Sequence, residues 1–78
     1  MFTVYVLQDK DNKLYKGVTG NIQRRLSEHL KGKTKTTRQM VNIKIVYTEE
    51  YETFDLARKR EVYLKTAAGR RFLKKKGL

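Results

Sequence analysis

The alternation of apolar and polar residues along the chain predicts three strands and three helices. Strand segments are rich in aromatic and β-branched residues, whereas helix segments repeat apolar residues at helical spacing. Asn21 and Thr53 stand where the N-caps of the first two helices are expected. The strands are predicted over residues 2–8, 13–19 and 41–51, and the helices over residues 22–32, 54–65 and 67–75.

This order of elements, ββαβαα, predicts an α+β fold in which a three-stranded, mainly antiparallel sheet is flanked by helices. A turn cluster at 9–12 joins the first two strands into a β-hairpin. If the register places Tyr5 opposite or diagonal to Tyr15, both rings lie on one face of the sheet. With 78 residues and no internal repeat, we expect a single domain over residues 1–78.

The first helix places two polar residues beside its apolar stripe. At about 100° per residue, Arg25 and His29 lie on the flank of the stripe, whereas Arg24 points to solvent. Arg25 is then either directed toward the sheet for chemistry, or packs its stem while its charged head reaches water. His29 could equally be an exposed helix residue. The stripe predicted to be buried consists of Ile22, Leu26 and Leu30.

The second helix places a carboxylate within its apolar stripe. The stripe predicted to be buried consists of Phe54, Ala57 and Leu64. Glu61 completes the spacing of that stripe. A buried carboxylate is costly unless it is paired or bound to a metal ion. Two explanations are therefore open, an ion pair from Glu61 to Arg25 or Lys65, or a metal site.

The net charge indicates the partner. Nineteen Lys and Arg against eight Asp and Glu give a formal charge of +11, which predicts attraction to phosphate and binding that weakens with salt. The basic loop 31–38 and the basic tail 70–76 are the expected contacts with nucleic acid. The residues expected to bind it are Lys33, Lys35, Arg38, Arg70, Arg71 and Lys74.

The absence of some residue types excludes several kinds of metal site and several classes of protein. There is no cysteine and only one histidine, which excludes a disulfide framework, a thiolate metal site and a zinc site of the usual kind. The first residues do not resemble a signal peptide, and no apolar run is long enough to span a membrane. We expect a cytoplasmic protein without a membrane partner. Because no long apolar seam suggests a stable dimer, we also expect a monomer.

The candidate chemistry comes from five polar residues that the predicted elements direct toward one side of the sheet. These residues are Tyr5, Tyr15, Arg25, His29 and Glu61. Phosphodiester hydrolysis uses such a set. A carboxylate holds one Mg²⁺ whose other positions are filled by waters, and the ion polarises a phosphate oxygen. An arginine neutralises charge on the phosphoryl group, and a tyrosine near cations can act as general base on water.

These residues, in this order, resemble the GIY-YIG nuclease superfamily over nearly the whole chain. The first signature triplet falls on Thr3-Val4-Tyr5 and the second on Tyr15-Lys16-Gly17. Arg25, His29 and Glu61 match the family's arginine, its helix histidine and its metal-binding glutamate. The chain looks closest to small single-domain bacterial members that resemble the catalytic domain of the eukaryotic Slx structure-specific nuclease.

The resemblance implies a role for each matched residue. Tyr15 would orient or deprotonate the attacking water with Tyr5 beside it, and Arg25 would clamp the scissile phosphate. His29 would assist proton transfer, and Glu61 would hold one Mg²⁺ or Mn²⁺. The implied activity is a metal-dependent DNA endonuclease without a small-molecule cofactor, selective for branched or flap DNA in repair or recombination.

The chain departs from the family at two points. Lys16 replaces an apolar residue in the second triplet, although strand alternation turns it away from Tyr15. An asparagine found near the end of longer members has no obvious counterpart here. Two other functions therefore stay open, a catalytically silent nucleic-acid-binding module and an accessory protein that binds RNA or the ribosome.

Overall fold

The computed structural model describes residues 1–31 and 42–78. Within them the order is ββαβαα, as predicted. The elements are β1 (Phe2–Gln8), β2 (Leu14–Thr19), α1 (Ile22–Leu30), β3 (Lys44–Tyr51), α2 (Phe54–Leu64) and α3 (Ala67–Lys75). In this described part of the chain, no helix is long and apolar enough to cross a membrane.

The third strand starts later than its apolar pattern predicted. Ile43 was expected within the strand, but β3 begins at Lys44. Asn42 explains the difference, because its φ of 57° is left-handed and incompatible with a strand, and asparagine tolerates that conformation. Val41, where we expected the strand to begin, lies outside the described residues.

The three strands form an antiparallel sheet in the order β2-β1-β3, which confirms the predicted α+β fold. Because β1 is the central strand, its side chains are covered on both faces. Val4 and Val6 pack against the helices α2 and α3, in a core completed by Ala57, Leu64 and Leu73. Tyr5 belongs to the opposite face by alternation, and there its ring contacts His29 of α1.

Two predictions about buried helix residues were wrong. Leu30 is 61% exposed, and the residue that α1 buries is His29, which is 1% exposed. The helix is rotated so that His29 lies against the rings of Tyr5 and Tyr15. Phe54 is 50% exposed because it is the first residue of α2 and lies at the margin of the core. Its ring makes a T-shaped contact with the ring of Phe2 in β1.

The predicted helix caps are confirmed, and a close contact joins the last two helices. The side chains of Asn21 and Thr53 accept hydrogen bonds from backbone N–H groups in the first turns of α1 and α2. Gly69 of α3 packs directly on the end of α2. A Cβ there would lie 2.1 Å from the Tyr63 carbonyl oxygen and 2.4 Å from the Leu64 Cα. Only glycine permits this approach, which sets the first turn of α3 against α2.

We expect Gly69→Ala to destabilise the protein, because the new methyl group collides with backbone that cannot move aside. Overpacking costs about 1–3 kcal/mol, more than the about 1 kcal/mol that alanine gains over glycine inside a helix. Urea unfolding measures the difference. Gly20→Ala is the control, since its Cβ would meet the Phe2 ring at an ordinary 3.7 Å. Equal free energies of unfolding for the two variants would show that Gly69 does not pack closely on the backbone of α2.

Candidate active site

A cavity of about 200 Å³ opens beside β2, an edge strand of the sheet. It is lined by Tyr5, Tyr15, Gly17, Val18, Arg25, Phe54, Arg58 and Glu61. Four of the five residues predicted to be catalytic therefore line one cavity. The fifth, His29, lies behind the two tyrosine rings and contacts both of them.

The position of Tyr5 depends on the glycine of the second signature triplet. In the β1–β2 register Tyr5 pairs with Gly17, and Tyr15 lies diagonally across from it. A Cβ on Gly17 would lie 2.5 Å from both Cζ and Oη of Tyr5, so the ring can rest on the strand only because this residue is glycine. The two tyrosine ring centroids are 6.3 Å apart, as the predicted shared face requires.

The Tyr5 hydroxyl connects Arg25 to His29. Arg25 Nε donates a hydrogen bond to Tyr5 Oη at 3.4 Å, and Tyr5 Oη lies 2.9 Å from His29 Nε2. Burial raises the pKa of Tyr5 above its ordinary value, despite the opposing hydrogen bond from Arg25. Burial and then the Arg25 charge lower the pKa of His29, against a smaller opposite effect of Glu28. The phenol and the imidazole therefore share a buried hydrogen bond, in which the roles of donor and acceptor are set by the tautomer of His29.

Arg25 is directed toward the site, which decides between the two expectations for its side chain. Hydrogen bonding to Tyr5 is the main cause that raises the pKa of Arg25, and Tyr15 adds to it. The guanidinium thus lies against two phenol oxygens, whereas the neighbouring Arg24 is exposed and pairs only loosely with Glu28 at 3.9 Å. Since a guanidinium has several N–H donors, Arg25 can hold Tyr5 and a phosphate at the same time.

Glu61 is buried in the apolar stripe of α2, as its spacing predicted, and is 7% exposed. Arg58 binds its Oε1, and Lys65 Nζ lies 3.4 Å from its Oε2. The predicted pairing with Lys65 is confirmed, while Arg58 takes the place that we had considered for Arg25. Both partner side chains are more than half exposed, at 55% and 52%. Such exposed cations hold a carboxylate weakly and can move away from it.

A second glutamate, Glu49 of β3, shows the contrasting case. The Tyr47 and Tyr51 hydroxyls donate to its carboxylate, and Arg60 binds it through Nε and Nη2 at 2.9 and 3.1 Å. Burial by itself raises the pKa of Glu49. The hydrogen bonds outweigh this effect, with the largest contribution from Arg60, and hold the pKa below its ordinary value. Arg60 is itself held 4.7 Å from the centroid of the Phe72 ring. The Glu49 carboxylate is therefore committed to the fold.

Glu61 has the properties of a magnesium ligand. Mg²⁺ prefers oxygen, binds through one or two carboxylates, and keeps several waters that phosphate oxygens can replace. A carboxylate lining an open cavity, with partners that can leave, fits that requirement. Over residues 1–31 and 42–78 no three His, Cys, Asp or Glu residues cluster as a metal cage. The donor set thus fits an ion shared between Glu61, water and substrate.

Of the six residues predicted to bind nucleic acid, three belong to the described part of the chain. Arg70, Arg71 and Lys74 are exposed on α3, outside the cavity. Lys33, Lys35 and Arg38 lie outside the described residues.

Sequence reasoning missed two residues of the site. Arg58 could have been found from its i,i+3 spacing to Glu61, which places the two side chains together on a helix. Gly17 had a signal too, since a glycine inside a strand often marks the close approach of another group.

Comparison with known proteins agrees with the geometry. The family model of the GIY-YIG catalytic domain matches residues 1–76. A UPF0213 protein of Staphylococcus haemolyticus is 39% identical over 75 residues, which cover 91% of this chain and 88% of that protein. A UPF0213 protein of Clostridium perfringens is 41% identical over 63 residues, 80% of this chain and 68% of that one. The solution NMR structure of a UPF0213 protein from Bacillus halodurans superimposes with a TM-score of 0.59 and 29% sequence identity. The match covers 96% of this chain and 84% of the Bacillus halodurans chain.

The buried His29 predicts a pH dependence of stability. Its pKa is about 6.5 in the unfolded chain and lower in the folded protein, so the unfolded state binds more protons between these values. The free energy of unfolding should therefore fall as the pH drops below about 6.5, and level off below the folded pKa. Urea unfolding of the protein and of His29→Gln between about pH 5.5 and 8 measures this, above the range in which most carboxylates titrate. An identical pH dependence in the variant would contradict the assignment.

Proposed function

The chain belongs to the GIY-YIG catalytic domain family, and from this premise we propose that it is a metal-dependent endonuclease that hydrolyses phosphodiester bonds of DNA. The observation that carries the proposal is the convergence of Tyr5, Tyr15, Arg25 and Glu61 on one cavity of a chain with a charge of +11. We propose that residues 1–78 act as one nuclease domain.

In this proposal Arg25 binds the non-bridging oxygens of the scissile phosphate and neutralises charge that develops there. Its orientation comes from Tyr5, whose raised pKa keeps it protonated and makes it a positioning residue rather than a base. His29 shares a hydrogen bond with Tyr5 behind the cavity and holds the ring in place.

Tyr15 is the residue we assign to the attacking water, because it lines the cavity beside Arg25 and lies over His29 with ring centroids 5.0 Å apart. Its phenolate oxygen would orient the water and receive its proton, so that Tyr15 becomes a neutral phenol. GIY-YIG nucleases generally use a divalent metal ion, and Glu61 would hold it. Mg²⁺ or Mn²⁺ at Glu61 would supply Lewis-acid stabilisation of the phosphate and leaving oxygens. Arg58 and Lys65 would then leave the carboxylate and become available to phosphate.

The basic charge accounts for binding to nucleic acid in general, so the substrate has to be distinguished by cleavage. We propose DNA, with selectivity for branched or flap structures in repair or recombination, from the likeness to structure-specific members of the family. Labelled duplex, single-stranded, flap and four-way-junction DNA, with Mg²⁺ or Mn²⁺, provide the test, and RNA at matched salt separates a ribosome-associated function. Salt-sensitive binding of every substrate without cutting would favour the silent binding module.

We expect Glu61→Gln to reduce cleavage by at least about 100-fold, the scale of losing one preorganised electrostatic group in an active site. The substitution keeps the shape of the side chain and removes its charge. In EDTA, DNA binding should be kept or strengthened, because Arg58 and Lys65 lose their anionic partner. Glu50→Gln is the matched control, an exposed carboxylate of β3. If Glu61→Gln cleaves as well as this control, the metal assignment is wrong.

We expect Gly17→Ala to lower cleavage by about 100-fold, the effect of a misplacement of about 1 Å in an active site. The methyl group would displace the Tyr5 ring and, with it, Arg25. Binding of DNA in EDTA should change little, since no charge is lost. Gly20→Ala, whose methyl has room, is the control. Cleavage by Gly17→Ala at the wild-type rate would show that the position of Tyr5 is unimportant.

A further inference from the structure

Lys16 is the residue of the second signature triplet that the proposed hydrolysis leaves unexplained. It pairs with Val6 in the β1–β2 register. By alternation its side chain belongs to the sheet face on which α2 and α3 pack, opposite to Tyr15. A half-buried ammonium on that face is costly, since an apolar residue could pack there without desolvating a charge.

The charged groups that act on Lys16 increase this cost. Burial lowers the pKa of Lys16, and the cations Arg70 and Lys65 lower it further. The fold holds these cations together, because the close approach of Gly69 to the backbone of Leu64 places the first turn of α3 at the end of α2. Geometry places the three cations in one region: Lys65 contacts Glu61, which lines the cavity with Tyr15 and Gly17, the two neighbours of Lys16. Glu61 neutralises part of this charge, and a bound anion would relieve the remaining repulsion.

The cluster adjoins the candidate active site without being part of its cavity. Lys65 Nζ lies 3.4 Å from Glu61 Oε2, whereas none of the three cations lines the cavity as the described residues define it. The phosphates of one nucleic-acid strand follow each other at about 3.4 Å of helix axis per nucleotide. A strand whose scissile phosphate lies beside Glu61 therefore brings neighbouring phosphates within reach of the three cations. Arg25 contacts Tyr5 on one face of the sheet and Lys16 belongs to the other face, while Glu61 shares a cavity with Arg25 and contacts Lys65.

We propose that Lys16, Lys65 and Arg70 form a subsite for a backbone phosphate that neighbours the one hydrolysed at Glu61. The inference rests on the proposed function for the identity of the strand. The nucleic-acid strand crosses the edge of β2, from Arg25 on one face to Arg70 on the other. Lys65 has two partners in this arrangement, Glu61 in the free protein and the neighbouring phosphate in the complex, so that binding of the strand releases the carboxylate.

The test measures DNA binding in EDTA over a series of salt concentrations, with fluorescently labelled single-stranded and duplex DNA. The double variant Lys16→Gln/Arg70→Gln should bind more weakly irrespective of sequence, and its plot of log K against log salt should be less steep by about 1, the loss of one phosphate contact. Lys10→Gln/Lys44→Gln removes the same charge from exposed positions at the hairpin-turn end of the sheet. We expect its slope to change by much less. Equal slopes in the two double variants would overturn the proposal.

Lys16→Ile separates binding from folding. An apolar side chain opposite Val6 should raise the stability in urea while it weakens DNA binding several-fold. A lysine with only a structural role would not give this pair of opposite effects. Unchanged DNA affinity in a stable Lys16→Ile protein would also overturn the subsite.

The outcome for the subsite is independent of the outcome for catalysis. If the protein cleaves DNA but the two double variants bind alike, the subsite is wrong and the nuclease proposal is kept. If no DNA is cleaved with either metal while Lys16→Gln/Arg70→Gln alone loses a phosphate contact, the subsite is kept and the nuclease proposal fails.

Discussion

The candidate site depends on one contact, in which the aromatic ring of Tyr5 packs directly against the backbone of Gly17. The ring lies on the central strand, and its hydroxyl is bounded by Arg25 on one side and His29 on the other. A side chain at position 17 would move the ring and thereby the guanidinium that it orients. A single close contact inside the sheet thus controls the geometry of a cavity at its edge, and the phosphate-binding role proposed for Arg25 would tolerate little displacement.

Two glutamates of the same chain illustrate how surroundings, rather than residue type, separate a carboxylate held by the fold from one that could bind a metal ion. Glu49 accepts hydrogen bonds from two tyrosines and from an arginine that is fixed against Phe72. Glu61 is more deeply buried, yet its partners extend into solvent. The first carboxylate gains stability from a hydrogen-bond network, whereas the second is held by cations more than half exposed, which in the proposed function a metal ion would replace.

The basic charge acts at two length scales. As a whole, a charge of +11 attracts any polyanion, and salt weakens that attraction uniformly. Locally, Lys16 and Arg70 form no ion pair with the described residues, and this local excess of positive charge is the basis of the phosphate subsite that we propose. Lys65 belongs to both the proposed subsite and the ion pair with Glu61, so in the proposed complex binding of the substrate would release the carboxylate.

Local patterns in the chain were sufficient for the order of the elements, for the capping roles of Asn21 and Thr53, and for the burial of Glu61, because each depends on spacing within one segment. The rotation of α1 was not predictable in this way. Its apolar pattern indicated Leu30, yet packing against two tyrosine rings turns His29 inward. The contact of Gly17 with Tyr5 also arises only in the folded chain, as does the position of Arg25 beside Tyr5. Strand register and helix placement bring these groups together, and neither is a property of a single segment.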